Sequence, residues 1–222
     1  MSAIFTSIHW NGKPIDRTVL ESANACVRHR CPDGAWVWAD GTVGMAQADL
    51  ATLPEDEPGI PVVSGPLKIA ASCRIDNRDE LLRALGTEHA PVNGTDTALV
   101  LAAYEAWGEA CVDRLIGDFA FVIWNARSRT VFAARDLSGV RPLFYYSDHE
   151  RLTLASDRTQ IFQDPDVPCE MDEEQFIGQL TSTFLSHSGW DQGYFRNLHV
   201  MPAGSIMTAS NGHIDIRSFW NW

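Results

Sequence analysis

The sequence predicts an α+β fold in which antiparallel strands, joined by short turns, are interspersed with capped helices. Between residues 117 and 125, apolar side chains occupy both faces of an extended chain, which is typical of a strand covered on both sides. Turn signals at Asp40-Gly41 and Asn211-Gly212 each lie between two runs of strand-forming residues. Capping residues precede several amphipathic segments, which predicts helices between the strands.

Residues 117–146 predict three strands separated by two turns. Residues 119–124 form the first strand, and residues 131–134 return after a short polar connection. A third strand begins at Leu143, after Pro142. The periodicity alone is equally compatible with a β-meander in any globular core. The side chains expected to be buried in this stretch are Phe119, Phe121, Ile123, Val131 and Phe132.

The amino-terminal quarter predicts a strand, a helix and a hairpin. Residues 2–9 are apolar and rich in strand-forming side chains. Asp16 has the short polar side chain that caps a helix, here over Arg17–Val27. The Asp-Gly pair at residues 40–41 predicts a type I′ hairpin, and the proline- and acid-rich residues 53–61 predict an exposed loop.

The middle of the chain predicts one strand followed by two helices. The strand is Leu67–Ile75. Asn77 is placed to cap a helix that carries Glu80, in a capping-box-like arrangement, and Thr95 is placed to cap a longer helix over Asp96–Trp107. The side chains expected on the buried face of the first helix are Leu81, Leu82 and Leu85.

The carboxyl-terminal part predicts further strands and one helix. Asp172 can cap a helix around residues 173–181, and residues 182–197 form a long polar loop. Strands are expected at residues 152–155, 198–200, 205–208 and 214–219.

Composition limits the classes of partner. With 222 residues, of which 45% are hydrophobic, the chain can bury a sizeable core, and we expect residues 1–222 to form a single domain. A net charge of −12 argues against nucleic-acid or anionic-membrane binding, because both need a basic surface. The five cysteines are dispersed, and the histidines show no metal-ligand spacing, so we expect free thiols and no metal. Without a leader or a long apolar run, a cytoplasmic location is expected.

The residue identities in several segments are more informative than the hydrophobic periodicity of those segments. Gly-Asp-Phe-Ala-Phe at residues 117–121, then Ala-Arg-Asp at 134–136 and Gly-Val-Arg-Pro-Leu-Phe-Tyr at 139–145, resembles the amino-terminal glutaminase-type domain of asparagine synthetases. Further matching segments follow the family's order at residues 28–33, 74–77, 95–96, 155–157, 202–204 and 219–220. The resemblance covers nearly the whole chain. It implies a four-layer αββα sandwich, the fold of N-terminal-nucleophile hydrolases and class II glutamine amidotransferases.

The resemblance also implies where a glutamine pocket would lie, and this chain departs from the family there. In class II glutamine amidotransferases the nucleophile is a cysteine directly after the initiator methionine, and its own α-amine is the base. The matching residue here is Ser2. The family's oxyanion hole comes from an Asn-Gly pair, which is replaced by Ser72 and Cys73. Losing one oxyanion donor costs roughly 10²–10³ in rate.

The charges expected of the pocket are reversed. Arg74 stands where the family has a glutamate that holds the glutamine amine, and Asp49 stands near the position of the arginine that clamps its carboxylate. Only Asp96 matches an amine-binding residue, and an acid in the first turn of a helix is favourable for structural reasons alone. We expect Arg74 either to pair with Asp96 and close the pocket, or to point to solvent.

These substitutions predict a catalytically degenerate glutaminase-like domain with no catalytic residue and no cofactor of its own. The resemblance implies that a carboxyl-terminal synthetase domain, absent from this chain, would use ATP and Mg²⁺ to form an amide bond. The run at residues 74–81 looks most like the lasso-peptide macrolactam cyclases.

Other interpretations remain open at this point. A β-lactam synthetase or another asparagine-synthetase paralogue has the same domain order. A hydrolase could use Ser2 on a substrate other than glutamine. An interaction module could bind the synthetase domain, a precursor peptide, or its protease or leader-binding partner.

Overall fold

The computed structural model describes residues 1–174, 176–177 and 194–220, and within these ranges the strands form two six-stranded antiparallel sheets. The first sheet has the order β10-β8-β9-β1-β3-β2. Its strands are β1 (Ala3–His9), β2 (Gly34–Asp40), β3 (Val43–Asp49), β8 (Phe144–Ser147), β9 (Arg151–Ala155) and β10 (Leu198–Val200).

The second sheet has the order β12-β11-β7-β6-β5-β4. Its strands are β4 (Val62–Ser64), β5 (Leu67–Ile75), β6 (Gly117–Asn125), β7 (Thr130–Arg135), β11 (Ser205–Ser210) and β12 (His213–Ser218). Strands β5 and β6 pair along their whole length, with Ile75 opposite Gly117 and Leu67 opposite Asn125. Gly117 has a φ of +151° and lies so close to Arg74 that an added Cβ would fall 2.0 Å from the Arg74 carbonyl oxygen, so this position requires glycine.

Helices cover the outer faces of both sheets. Helices α1 (Arg17–Val27) and α4 (Arg158–Ile161) pack on the first sheet, and α2 (Arg78–Leu85) and α3 (Asp96–Trp107) lie against the second, followed by a 3₁₀ helix over Gly108–Arg114. Three buried apolar layers result: one between the sheets, and one beneath each pair of helices. The fold is therefore the expected four-layer αββα sandwich.

The position of strand β6 inside the sandwich explains why both of its faces are apolar. Phe119, Phe121 and Ile123 face α3, whereas Val122 and Trp124 face the first sheet. The predicted burial is confirmed, because each of the five side chains expected to be buried is at most 2% exposed. The third predicted strand exists, but the interpretation as a β-meander is wrong, because β8 pairs with β9 and β10 in the other sheet.

Most of the predicted caps and turns are confirmed. Asp16 accepts a hydrogen bond from the Thr18 amide (2.9 Å), and Thr95 Oγ1 accepts one from the Ala98 amide (3.1 Å). The Asn211-Gly212 turn has positive φ at both residues, as a type I′ turn requires.

The hairpin between β2 and β3 differs from the prediction. Asp40 pairs with Val43, so the central residues are Gly41 and Thr42, and of these only Gly41 has a positive φ. This is the pattern of a type II′ turn, which takes glycine first.

Helix α2 also differs from the prediction at two positions. Leu82 is 39% exposed, because the helix is only eight residues long and contacts the core through Leu81 and Leu85. Asn77 makes no capping hydrogen bond. Its side chain instead accepts from the Ile116 amide (3.0 Å) and donates to the Arg114 carbonyl (2.9 Å), so it fastens the segment that leads into β6.

Residues 175 and 178–193 lie outside the described ranges. The helix predicted around residues 173–181 and the loop predicted at 182–197 therefore fall largely outside the described residues. In the part of the chain that is described, no helix has both the length and the apolar character needed to cross a membrane.

Candidate functional site

A cavity of about 280 Å³ opens where β1 begins and where β3 and β5 end, close to the start of α3. Antiparallel pairing brings these ends together, since Ala3 of β1 lies opposite Ala48 of β3. The cavity is lined by every pocket position singled out from the sequence, namely Ser2, Asp49, Ser72, Cys73, Arg74 and Asp96.

One wall of the cavity is the acidic loop of residues 51–60. Residues 53–61 were expected to form an exposed loop, but five of these nine residues are partly buried. Two carboxylates hold it in place. Asp56 accepts hydrogen bonds from the amides of Thr52 (2.7 Å) and Leu53 (2.9 Å), and Asp49 accepts one from Gly59 (2.7 Å).

The Ser2 hydroxyl accepts a hydrogen bond from the Leu50 amide (3.2 Å). It also lies near the buried Asp49 carboxyl, whose pKa it acts to lower. The Met1 carbonyl accepts from the Cys31 thiol (3.2 Å). Burial lowers the pKa of the Met1 α-amine, and the nearby charge of Arg141 lowers it further.

Asp49 is a buried acid with neutral partners. It is 7% exposed and accepts a hydrogen bond from Gln47 Nε2 (2.6 Å) as well as from Gly59. Burial raises the pKa of this carboxyl above its ordinary value. Gln47 also accepts from the Ala71 amide (2.9 Å), so it links the two sheets beneath the cavity. Sequence reasoning missed Gln47, although a single amide in the apolar strand β3 was an available signal.

The two residues at the expected oxyanion position lie on β5. Ser72 is 4% exposed, and Cys73 Sγ lies 3.8 Å from Thr97 Oγ1. Burial raises the pKa of the Cys73 thiol to about 11. This thiol is therefore protonated at neutral pH and is a poor nucleophile or metal ligand.

Of the two expectations for Arg74, the pair with Asp96 is wrong and the exposed position at the strand end is confirmed. Arg74 pairs with Asp76 (Nε–Oδ1 3.0 Å) and Asp118 (3.6 Å), and its side chain is 51% exposed at the end of β5. Asp96 accepts from the Ile75 amide (2.9 Å) and pairs with Arg78. Strand alternation sends the side chain of Arg74 away from Asp96, and Arg78, on the next helix, reaches Asp96 in its place. The cavity consequently stays open.

Arg141 is the second residue that sequence reasoning missed. Its side chain lines the cavity, and its charge acts on the Met1 amine and on the Cys73 thiol. The available signal was its place in the Gly-Val-Arg-Pro run of residues 139–142, which was used only as evidence of the family resemblance and gave Arg141 no role.

The sandwich is shared with solved structures. The glutamine phosphoribosylpyrophosphate amidotransferase of Bacillus subtilis, complexed with ADP and GMP, superimposes with a TM-score of 0.69 at 15% identity, covering 98% of this chain and 49% of that one. At this identity the likeness shows the fold alone. A family model described as a glutamine amidotransferase domain matches residues 1–220.

The chain belongs to the glutamine amidotransferase domain family. Two curated relatives of this amidotransferase domain are asparagine synthetases of Bacillus subtilis, both described as glutamine-hydrolyzing. Asparagine synthetase 3 is 26% identical over 213 residues, covering 93% of this chain and 34% of the relative. Asparagine synthetase 1 is 24% identical over 220 residues, covering 95% and 34%. The amidotransferase domain thus spans about a third of the length of these relatives.

The cavity of this amidotransferase domain is polar but offers no cluster of metal ligands. Among the described residues, no group of three or more histidines, cysteines or acids is arranged to hold a metal ion. The chemistry that the cavity can support therefore depends on the Ser2 hydroxyl, the buried acids and the arginines around them.

Proposed function

We propose that this is the glutaminase-like domain of an asparagine-synthetase-like, ATP-dependent amide-forming ligase, and that the domain itself does not hydrolyse glutamine. The observation that carries the proposal is the set of substitutions around one cavity: Ser2, Asp49, Ser72, Cys73 and Arg74 all line it. Each stands where the resembled family uses a different residue type for nucleophile, oxyanion donor or substrate clamp.

The nucleophile position supports the loss of activity. A serine hydroxyl is less nucleophilic than a thiol and needs a base to remove its proton. Here the Ser2 Oγ accepts a hydrogen bond from the Leu50 amide (3.2 Å), and the neighbouring Asp49 carboxylate already accepts hydrogen bonds from Gln47 and Gly59. Both groups are therefore engaged in structural contacts.

The charge pattern supports the same conclusion. A glutamine carboxylate placed where the family clamps it would meet the buried Asp49 carboxylate, and two acids cannot both stay ionised at close range. Arg74 pairs with Asp76 and Asp118, neither of which lines the cavity, so its charge is compensated and does not repel an amine, but it also supplies no acid to hold one. Asp96 is neutralised by Arg78. The cavity therefore lacks both of the clamps with which the resembled family holds glutamine.

The parent protein would supply the chemistry. We propose a lasso-peptide macrolactam cyclase as its type, on the basis of residues 74–81, with ATP and Mg²⁺ held by a synthetase domain. Such an enzyme activates a carboxylate and uses an internal amine, so it needs no ammonia from glutamine. The role of the present domain would be to pack against that synthetase domain and to contact the precursor peptide, or its protease or leader-binding partner.

A second candidate is a hydrolase that uses Ser2 on another substrate. The open cavity of about 280 Å³ beside Ser2 favours it, because a filled pocket would have excluded it. This mechanism requires removal of Met1, since the α-amine of residue 2 would be the base. An intact mass that includes Met1 contradicts the second candidate.

The direct test is glutamate release from glutamine by the purified domain. We expect no release above background from the wild type, and none from Ser2→Cys, because a thiol alone restores neither the oxyanion donors nor the clamps. Ser2→Ala is the matched control. Glutamate release by the wild type that disappears in Ser2→Ala would contradict the proposal.

A further inference from the structure

The acids around the cavity all have partners. Asp49 accepts from Gln47 and Gly59, and Asp96 pairs with Arg78. At the rim, the Glu57 carboxylate accepts a hydrogen bond from Asn93 (2.9 Å), and Asp56 is bonded within its own loop. An incoming cation would have to compete with these contacts.

Arg141, unlike these acids, has no charged partner among the described residues. Its side chain lines the cavity, yet it makes no ion pair with any residue in the described ranges. Its Nε is buried and has no hydrogen-bond partner among the described residues. A guanidinium carries five donors and keeps its charge at every physiological pH, so an unpaired one that is partly buried is costly without an anion. The unmatched charge of the cavity is therefore positive.

The loop around Arg141 holds it in place. The Arg141 amide donates to Asp136 Oδ2 (3.0 Å), and its carbonyl accepts from Arg135 Nε (2.9 Å). Asp136 also accepts from the amides of Ser138 and Val140 (3.0 Å each), and Arg135 donates to the Gly139 carbonyl (2.7 Å). A backbone fixed on both sides presents the guanidinium with little ordering cost on binding.

We propose that the cavity is a binding site for a small carboxylate ligand, and that Arg141 is its anchor. The planar fork of a guanidinium matches the two oxygens of a carboxylate in a bidentate pair. The cavity volume of about 280 Å³ lies just below the roughly 300–1,000 Å³ of ordinary small-molecule pockets, which favours a ligand of metabolite size. The proposal goes beyond the loss of glutamine hydrolysis and does not depend on it.

The test is ligand-observed NMR titration of the purified chain with acetate, succinate and inorganic phosphate at fixed ionic strength. Arg141→Gln removes the charge. Arg127→Gln is the matched control, since Arg127 is exposed in the turn between β6 and β7 and does not line the cavity. We expect succinate and acetate to bind the wild type and Arg127→Gln equally, and to bind Arg141→Gln at least about tenfold more weakly.

A second variant of Arg141 and a fourth ligand extend the titration. Arg141→Lys, which keeps the charge without the fork, should bind with intermediate affinity, and it replaces Arg141→Gln if that variant fails to fold. Equal carboxylate binding by the wild type and the Arg141 variants would overturn the anchor. No carboxylate binding, or binding of phosphate alone, would overturn the ligand class. Glutamine, added as a fourth probe, separates the two proposals, because its Arg141-dependent binding supports the anchor while its hydrolysis contradicts only the proposed function.

Discussion

The two ends of strand β1 each meet an arginine, and the two arginines are in opposite environments. At the His9 end, Arg151 is 4% exposed and its Nη1 lies 2.8 Å from Asp164 Oδ2, with Asp148, Glu150 and Asp166 within 4 Å. At the Ser2 end, Arg141 lines an open cavity and has no carboxylate partner among the described residues.

The difference separates a structural charge from a charge available for binding. At the His9 end, the surrounding acids all lie within ion-pair distance of the buried Arg151. No acid among them is therefore free to bind a ligand. The open end has its acids bonded to neutral groups or to other cations, which leaves Arg141 unmatched. Arg151 is the more buried of the two arginines, but the decisive difference between them lies in their partners.

The largest expected effect is at the closed end. Arg151→Ala should lower the free energy of unfolding by about 3–5 kcal/mol, because it leaves Asp164 buried without its cation. Urea denaturation measures this, with Arg127→Ala as a surface control that should stay within about 0.5 kcal/mol of the wild type. A loss below about 1 kcal/mol for Arg151→Ala would show that the closed end is not a structural pair.

The pH dependence at the closed end has a defined sign. Burial lowers the pKa of His9 below its ordinary value of 6.5, and the charge of Arg151 acts in the same direction. The unfolded chain therefore binds a proton that the folded state does not. Stability from His9 is fully present above pH 6.5 and is lost as the pH falls from there through the lower pKa of the folded state. Unfolding free energies at several pH values should lose this slope in His9→Gln; an unchanged slope would place His9 in solvent.

At the Ser2 end of β1, the pH dependence of the free energy of unfolding should have the opposite sign. Burial raises the pKa of Asp49 above its ordinary value of 3.8, so here the folded state binds the proton more tightly than the unfolded chain. Its contribution is present below pH 3.8 and is lost as the pH rises through the folded pKa. The unfolding free energy of Asp49→Asn, relative to the wild type, should therefore increase with pH. A relative stability that falls with rising pH would contradict the assignment.

The smallest expected effect is on the stability of the Arg141 variant. In the absence of ligand, Arg141→Gln should lower the free energy of unfolding by no more than about 0.5 kcal/mol, because no ion pair is lost and an unpaired charge is removed. The same urea series measures it. A loss as large as that of Arg151→Ala would mean that Arg141 supports the fold rather than a ligand.

The sequence was sufficient for the parts of the fold that depend on neighbours along the chain. The both-face apolar pattern of β6, the caps at Asp16 and Thr95, and the Asn211-Gly212 turn are local, and the structure confirms them. The sheet to which β8 belongs was not predictable, because strand pairing is a long-range property that the periodicity of residues 144–147 does not contain.

The partners of the site residues were harder to predict from the sequence than the position of the site. The resemblance placed Ser2, Asp49 and Cys73 at one location, and the structure brings them to one cavity. The resemblance could not predict the ion-pair partners of the arginines, because the long, flexible side chain of an arginine can reach several acids. Arg74 met Asp76 instead of Asp96, and the unpaired state of Arg141 becomes visible only when the partners of the surrounding acids are known.

The central claim is that the cavity is open but no longer hydrolyses glutamine, and one mass spectrum tests it most directly. The purified chain is incubated with a glutamine analogue that carries an electrophilic side chain, and its intact mass is then measured. An unmodified chain is the expected result, with or without Met1, because the family's clamps are missing and the Ser2 hydroxyl accepts a hydrogen bond from the Leu50 amide. A single adduct on residue 2, absent in Ser2→Ala, would contradict it.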